Sequence, residues 1–125
     1  MIEFSHVSKT YPNGTHALYD VSLKVQKGEF VFIVGSSGAG KSTLLKLITC
    51  EEKADGGRLR VNGRDLLHIK RRAVPYLRRT MGMVFQDFRL IPTMTVFENV
   101  AFAMHIVGAS NREIRKRVPY MLGLV

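Results

Sequence analysis

The chain has 125 residues and a mass of 14.1 kDa, the size of one ordinary domain, which excludes a large multidomain protein. With 46% hydrophobic and 23% charged residues, the composition is that of a globular domain and excludes a disordered chain. The net charge of +9 is concentrated in residues 58–79, where eight Lys and Arg accompany Asp65 alone, and in residues 112–117. The protein is therefore locally rather than uniformly basic.

The lengths of the apolar stretches and the single cysteine both bear on the cellular location of the chain. The longest apolar runs, such as residues 30–34, fall far short of the roughly 20 residues that a spanning helix needs, and the N-terminus has no basic region followed by an apolar run. The one cysteine, Cys50, has no partner for an internal disulfide, which agrees with a reducing compartment. We therefore expect a cytosolic chain in which Cys50 is a small buried residue.

The first third of the chain is predicted to form strands. Residues 2–7 alternate between apolar and polar, and residues 18–25 form a second extended run that ends at a turn near Lys27. Residues 30–34, Phe-Val-Phe-Ile-Val, are typical of a strand buried on both faces of a parallel sheet. A glycine-rich loop follows, and from Lys41 the apolar residues recur at helical spacing, so strand, loop and helix form the first half of a βαβ unit.

The middle of the chain predicts a hairpin, a short helix and another buried strand. Residues 58–61 form a short strand that reverses at the Asn-Gly pair 62–63, the strongest short hairpin signal. Pro75 suits the first turn of a short helix over residues 76–79, because its missing N–H costs nothing there. Residues 81–85, Met-Gly-Met-Val-Phe, predict a second strand of the buried type.

Two helices are predicted in the last third of the chain. Thr95 is an N-cap with Glu98 three residues later, a capping-box pattern at the start of a helix over residues 95–104. Ser110 and Glu113 repeat the pattern for a second helix. The final residues, Tyr-Met-Leu-Gly-Leu-Val, are apolar to the end, which predicts a chain that stops in mid-fold.

The glycine-rich loop matches a phosphate-binding pattern, G-x-x-x-x-G-K-[ST]. Its glycines permit backbone conformations closed to other residues, so that successive N–H groups converge where the following helix aims its positive end. Lys41 supplies a mobile charge for the β- and γ-phosphate oxygens, the Ser42 hydroxyl suits Mg²⁺, and Thr43 adds a hydrogen bond to the α-phosphate. The predicted loop residues for nucleotide binding are Gly35, Ser36, Ser37, Gly38, Ala39, Gly40, Lys41, Ser42 and Thr43.

Two residues outside the loop narrow the class of protein. The loop alone leaves a small-molecule kinase, a GTPase, a helicase and a transporter-type ATPase open. Tyr11 precedes it in Lys-Thr-Tyr-Pro, and Gln86 follows Lys41 by 45 residues in Val-Phe-Gln-Asp. This arrangement resembles the nucleotide-binding domains of ABC transporters, which bind ATP and Mg²⁺. The resemblance implies that Tyr11 stacks on adenine, that Lys41 and Gln86 are catalytic, and that Ser42 and Gln86 contact Mg²⁺.

Within that family, the chain resembles the FtsE ATPases of the bacterial cell-division FtsEX complex. The resemblance rests chiefly on residues 84–92, Val-Phe-Gln-Asp-Phe-Arg-Leu-Ile-Pro, and on residues 95–102, and it covers essentially the whole chain. It implies an α/β fold, the N-terminal portion of a P-loop NTPase of the ABC type, with an antiparallel β subdomain, a phosphate-loop strand and helix, and the start of a helical subdomain. We therefore expect a single, incomplete domain over residues 1–125. Its strand-rich part, residues 1–92, would contain the phosphate-binding loop and Gln86, and residues 93–125 would begin the helical subdomain.

The resemblance also implies partners and a location. They are the membrane protein FtsX, a homodimer in the complete protein, and a peripheral position on the cytoplasmic face of the cell membrane, where ATP-driven change activates cell-wall hydrolases. The surface around Gln86 and residues 88–90 is the candidate docking site for FtsX. ATPases of lipoprotein-export and efflux transporters resemble the chain nearly as well and stay open.

Several parts of the family pattern do not occur in this chain. It has no Leu-Ser-Gly-Gly-type signature, no apolar strand ending in Asp-Glu and no switch histidine, and no two of its histidines have metal-ligand spacing. We therefore expect weak ATP binding with little or no turnover by this chain alone. We also expect residues 30–34 to present an unpaired apolar edge that is prone to aggregation.

A basic nucleic-acid-binding module is the alternative from another class. It is supported by residues 58–79, whose local charge of +7 suits phosphate neutralisation. These basic residues are not interleaved with aromatics and match no recognition-helix pattern, so no nucleic-acid partner is predicted. A solvated face near anionic lipid is favoured instead. A stand-alone phosphate-loop kinase would need acceptor-site residues that this sequence lacks.

Overall fold

The computed structural model describes residues 1–125 in two units, Met1–Thr80 and Met81–Val125. The first unit contains a four-stranded antiparallel sheet and two helices, and the second contains two helices. The division of the domain at residues 92 and 93 stays a prediction. No helix has both the length and the apolar character to cross a membrane.

The sheet of the first unit has the strand order β2-β1-β3-β4. Phe4 of the central strand lies opposite Leu23 on one side and Leu59 on the other, and it is buried. The predicted reversal at the Asn-Gly pair is confirmed: Asn62 and Gly63 have φ of 48° and 78°, the left-handed values that a tight two-residue hairpin requires. The strands are β1 (Ile2–Thr10), β2 (His16–Val25), β3 (Gly56–Val61) and β4 (Arg64–Asp65).

A bulge in β1 brings the start of β3 close to it. His6 has a left-handed φ of 53° where the register between Phe4 and Val7 shifts. Its N–H donates to the Ser22 hydroxyl at 2.9 Å, which compensates for the interrupted ladder. Gly57 has a φ of 88°, and a Cβ there would collide with the His6 carbonyl. A glycine at this position therefore lets β3 approach the bulge.

The first unit also contains two helices, of which the first contacts strand β2. The predicted helix after the glycine-rich loop is confirmed as α1 (Lys41–Ile48), and the predicted Pro75 helix is confirmed as α2 (Val74–Arg78), preceded by a 3₁₀ turn, Arg71–Ala73. Burial of a side chain the size of Leu47, which is 1% exposed, contributes about 1.5–3 kcal/mol. The buried apolar residues of this unit are Phe4, Val7, Leu18, Leu44, Leu47, Ile48, Leu59, Val61, Leu66 and Leu77.

Arg78 satisfies the carboxyl end of α1. Its Nε donates to the Thr49 carbonyl at 2.8 Å, and its Nη2 donates to the Cys50 carbonyl at 3.4 Å. A cation at this end also complements the helix dipole. The expected burial of Cys50 is only partial: the residue is half-buried, and its left-handed φ of 56° follows the end of α1. Burial raises the pKa of its thiol, against the opposing charges of Arg78 and Lys53.

The two predicted strands of the buried type are wrong as strands. Neither residues 30–34 nor residues 81–85 pair with another strand, and Phe30, Val34 and Val84 are 84%, 86% and 95% exposed. A strand forms only where a neighbour satisfies its N–H and C=O groups, and no strand of this chain lies beside either segment. The expected exposure of an unpaired apolar run at residues 30–34 is confirmed.

The second unit is a pair of helices with a small core. Both predicted capping boxes are confirmed: Thr95 and Glu98 bond reciprocally at the start of α3 (Val96–Ile106), and Ser110 and Glu113 do so at the start of α4 (Asn111–Leu122). These contacts satisfy amide groups that the first turn leaves without partners. The core consists of Ala101, Ile114 and Val118, with Val100, Met104, Ala109 and Leu122 packed against it.

Candidate functional site

The glycine-rich loop connects the exposed run 30–34 to α1. Gly38 and Gly40 have φ of 80° and 83°, a left-handed region that side chains disfavour. Within the loop the Ala39 N–H donates to the Ser36 carbonyl at 3.2 Å, and the Gly40 carbonyl accepts the first helical hydrogen bond from the Leu44 N–H at 2.9 Å. The loop therefore passes directly into the helix with glycines at its two turning points.

Strand β2 supports the end of the loop. A Cβ on Gly40 would lie 2.8 Å from Cδ2 of Leu18 and would collide with the carbonyl oxygen of Ala17. Gly40 itself is buried against this strand. Glycine is thus required at position 40 for two reasons: the left-handed backbone conformation and the close approach of β2.

Lys41 lies folded over the loop. Its Nζ donates to the Gly35 carbonyl at 2.9 Å and to the Ser36 carbonyl at 2.6 Å. No acidic residue occurs in the first turn of α1, so the positive end of the helix and the ammonium group are not neutralised locally. The loop therefore combines a helix N-terminus with a lysine ammonium, the two features that favour an anion.

A cavity of about 250 Å³ lies between the loop, the start of α1 and the β1–β2 turn. Tyr11 reaches it from the turn, where its N–H donates to the Thr15 carbonyl at 2.9 Å. The Tyr11 hydroxyl lies 3.2 Å from Oγ1 of Thr43, so residues 32 positions apart meet at the cavity. The lining residues are Tyr11, Thr15, Ala17, Ser37, Gly38, Gly40, Lys41, Ser42 and Thr43.

Most of the predicted site residues of the first unit meet at this cavity. Gly35 and Ser36 contribute through their carbonyls to Lys41, and Ala39 lies within the loop without lining the cavity. Thr15 and Ala17 were not predicted, since nothing in their residue types marks them. A search for residues opposite the loop in the β1–β2 hairpin would have found both.

Gln86 belongs to the second unit, in the irregular segment that precedes α3. Phe88 and Arg89 have left-handed φ of 56° and 47°, and the guanidinium of Arg89 lies 3.7 Å from the centroid of the Phe85 ring. The chain therefore folds back sharply after Gln86, which is exposed. Its role in nucleotide chemistry stays a prediction.

Asn99 of α3 holds the end of the same segment. Its Oδ1 accepts from the Ile91 N–H at 2.8 Å, and its Nδ2 lies within hydrogen-bond distance of the carbonyls of Ile91, Met94 and Thr95 at 3.2, 3.1 and 3.0 Å. One side chain thus fixes the approach to the helix. The sequence pattern did not mark this residue.

The fold and the loop define an ATP-binding cassette. The solved structure of the cassette MJ0796, a dimer in a post-hydrolysis state bound to ADP and Pi, aligns with a TM-score of 0.88 and 36% identity over 98% of this chain and 56% of that one. The family model described as ABC transporter matches residues 18–122. The chain belongs to the ABC transporter family, and the predicted α/β cassette fold, as its N-terminal portion, is confirmed.

Among curated members of the family, the chain is similar to FtsE and MetN proteins. The cell division ATP-binding protein FtsE of Bacillus subtilis is 51% identical over all 125 residues, and the methionine import ATP-binding protein MetN of Helicobacter pylori is 43% identical over the same residues. The chain spans 55% of the length of that FtsE and 38% of that MetN. The predicted resemblance to FtsE is confirmed.

Proposed function

We propose that this chain is the ATP-binding portion of an FtsE-type ABC ATPase. The observation that carries the proposal is the cavity at which Tyr11, from one hairpin, meets the phosphate-binding loop and Lys41. An aromatic face suits the base of a nucleoside triphosphate, and a cation beside a helix start suits its phosphates.

The loop and Lys41 would bind the phosphates. The ammonium now donates to two exposed backbone carbonyls, those of Gly35 and Ser36. Phosphate oxygens are stronger acceptors, because charge-assisted hydrogen bonds are roughly twice as strong as neutral ones. An incoming phosphate therefore draws Lys41 away from the loop carbonyls and occupies the positive end of α1.

The base would stack on Tyr11 outside the loop. A volume of about 250 Å³ is smaller than the roughly 300–1,000 Å³ of pockets that enclose whole ligands. The cavity thus accommodates the phosphates and leaves the base on the half-exposed ring. Stacking of this kind contributes about 1–3 kcal/mol per base in nucleic-acid sites.

The chain fits Mg²⁺ through hydroxyl and phosphate oxygens. The exposed Ser42 side chain lines the cavity, and hard oxygen ligands with retained waters are what Mg²⁺ prefers. When bound, the ion would neutralise charge between the β- and γ-phosphates. Gln86 is proposed as a further contact to the ion and to the attacking water.

Hydrolysis is proposed for the complete protein and not for residues 1–125 alone. No Asp or Glu lines the cavity, so this chain offers no carboxylate general base there. We expect nucleotide binding by the chain and little or no turnover.

A membrane partner and a dimer complete the proposal. FtsE-type identity supports FtsX as the partner, and the dimeric cassette MJ0796 supports a homodimer of the full-length protein. All eight Lys and Arg of residues 58–79 are exposed, a surface that anionic lipid attracts by about 1 kcal/mol per residue at the cytoplasmic face of the membrane. Phe88 and Leu90, 75% and 65% exposed, are the proposed contacts for FtsX.

Titration of a fluorescent ATP analogue, with and without Mg²⁺, tests the site. Lys41→Ala removes charged hydrogen bonds that typically contribute about 1.5–3 kcal/mol, so we expect the dissociation constant to rise about tenfold or more. Lys46→Ala removes an exposed lysine of the same helix and is the matched control, with unchanged affinity expected. Equal affinities of the wild type and Lys41→Ala would refute the proposed site.

A parallel titration with duplex DNA tests the nucleic-acid alternative. Micromolar DNA binding with a steep salt dependence, in a chain that does not bind the ATP analogue, would replace the proposed function by that alternative.

A further inference from the structure

A buried lysine lies directly beside the proposed base-binding residue. Lys9 of β1 is 8% exposed, an unusual location for a lysine, which is almost never buried unless paired. Its Nζ lies 3.3 Å from Oε2 of Glu52, 3.7 Å from Oδ1 of Asp55 and 5.5 Å from the centroid of the Tyr11 ring. One ammonium group therefore contacts two carboxylates and an aromatic face.

The two carboxylates belong to the turn that follows α1, and that turn is fastened to β1 on both sides of Lys9. Asp55 Oδ2 accepts a hydrogen bond from the Thr10 N–H at 2.6 Å, and the Asp55 N–H donates to the Ser8 carbonyl at 3.0 Å. The ammonium is thus held in a fixed position rather than at the end of a mobile side chain.

The geometry points to Lys9 as a positioning residue that fixes the Tyr11 ring for the base of a nucleoside triphosphate, an inference that rests on the proposed function. The ring has two attachments: its hydroxyl lies 3.2 Å from Oγ1 of Thr43, and its face lies over the ammonium within the roughly 6 Å range of a cation–π contact. A ring with both attachments loses little further freedom when a base stacks on it.

Lys9 acts on the base and not on the phosphates. Tyr11 lines the cavity at the phosphate-binding loop, whereas Lys9 does not line it. Lys9 instead lines a separate cavity beside the turn after α1. Loss of the ammonium should therefore weaken ligands that carry a base and spare ligands that consist of phosphate alone.

The test compares ATP with inorganic tripolyphosphate, each measured by calorimetric titration with Mg²⁺ present. Lys9→Met keeps the length and removes the charge. We expect it to weaken ATP binding about three- to tenfold, the range that a partly desolvated cation–π contact supports, with tripolyphosphate affinity changed less than about twofold. Lys9→Arg keeps a cation over the ring and should restore most of the ATP affinity. Lys24→Met, at an exposed lysine of β2, is the control and should change neither ligand.

Two further measurements separate positioning from a purely structural role. In a Tyr11→Leu background the additional effect of Lys9→Met on ATP affinity should disappear, because the ring through which it acts is gone. If circular dichroism shows that Lys9→Met does not fold, Glu52→Gln is used instead, because it removes one ion pair of the ammonium and keeps the lysine. We then expect ATP affinity to fall by a smaller factor than in Lys9→Met, with tripolyphosphate affinity again unchanged.

The outcomes distinguish the inference from the function on which it rests. A wild-type chain that binds neither ligand would overturn the proposed function and this inference with it. If the wild type binds both, and the folded Lys9 or Glu52 variant weakens ATP and tripolyphosphate equally or leaves ATP unchanged, the inference alone is overturned.

Discussion

Gly40→Ala is expected to destabilise the chain more than the same substitution two residues earlier. Both Gly38 and Gly40 have left-handed φ, 80° and 83°. A Cβ on Gly38 meets no atom within 4 Å, whereas a Cβ on Gly40 would lie 2.8 Å from Cδ2 of Leu18 and still closer to the carbonyl oxygen of Ala17. The two variants therefore share the conformational cost and differ in the collision with β2.

The magnitudes follow from these contacts. A left-handed conformation costs an alanine roughly 1–2 kcal/mol, and the reduced freedom of the unfolded chain on replacing glycine offsets about 0.4–1 kcal/mol, equally in both variants. Gly40→Ala must also displace a strand carbonyl and a buried leucine, and such overpacking typically costs about 1–3 kcal/mol. We expect the free energy of unfolding of Gly40→Ala to be lower than that of Gly38→Ala by that last amount.

Urea unfolding followed by far-ultraviolet circular dichroism measures the difference. Equal slopes with a lower midpoint for Gly40→Ala would locate the effect in the native state, since a changed slope indicates a changed denatured state. If the two variants unfold at the same midpoint, the loop does not lie against β2 as described, and the packing role assigned to Gly40 is refuted.

Two further predictions concern the second unit. Hydrogen bonds from the Thr95 backbone N–H and then its hydroxyl hold the pKa of Glu98 below its ordinary value of 4.5. The ionised Glu98 therefore stabilises the helix fully above pH 4.5, and this stabilisation is lost as the pH falls through the lowered pKa. The helicity of the wild type, measured by circular dichroism, should fall in acid. Glu98→Gln should have a lower helicity than the wild type at neutral pH and a weaker dependence of helicity on pH. Asn99→Ala removes two partly buried hydrogen bonds to Ile91, each with a net contribution of about 0.5–1.5 kcal/mol, and should lower the free energy of unfolding by about 1–3 kcal/mol. Asn111→Ala, at an exposed asparagine, is its control, and equal midpoints in urea would contradict the assignment.

Local signals in the sequence predicted the local structure well. The capping pairs at Thr95 and Ser110 marked two helix starts, and the glycine-rich loop marked a third. Each of these features depends on hydrogen bonds or dihedral angles within a few residues, so the residue types alone specify them. The residues that line the loop side of the cavity were predictable for the same reason.

Long-range neighbours were the source of the errors and omissions. The apolar runs at residues 30–34 and 81–85 have the composition of buried strands, yet no strand pairs with them, and composition alone does not reveal whether a partner is present. Lys9 was noted only as part of the Lys-Thr-Tyr-Pro motif and Arg78 only as one of the basic residues 58–79, whereas the Lys9 ammonium lies between two carboxylates under Tyr11 and Arg78 caps α1. Nothing near Lys9 in the sequence predicts its ion pairs with Glu52 and Asp55, and nothing near Arg78 predicts its hydrogen bond to the Thr49 carbonyl.

The sequence by itself determined the family, the phosphate-binding loop and the starts of its helices, because those depend on motif and local hydrogen bonding. The tertiary structure decided that Tyr11 meets Thr43 across 32 residues, that Gly40 lies against β2, and that Lys9 is enclosed by Glu52 and Asp55. Antiparallel pairing places β1 between β2 and β3, and the β1–β2 turn meets the loop at one cavity while Lys9 meets the turn after α1 at a second.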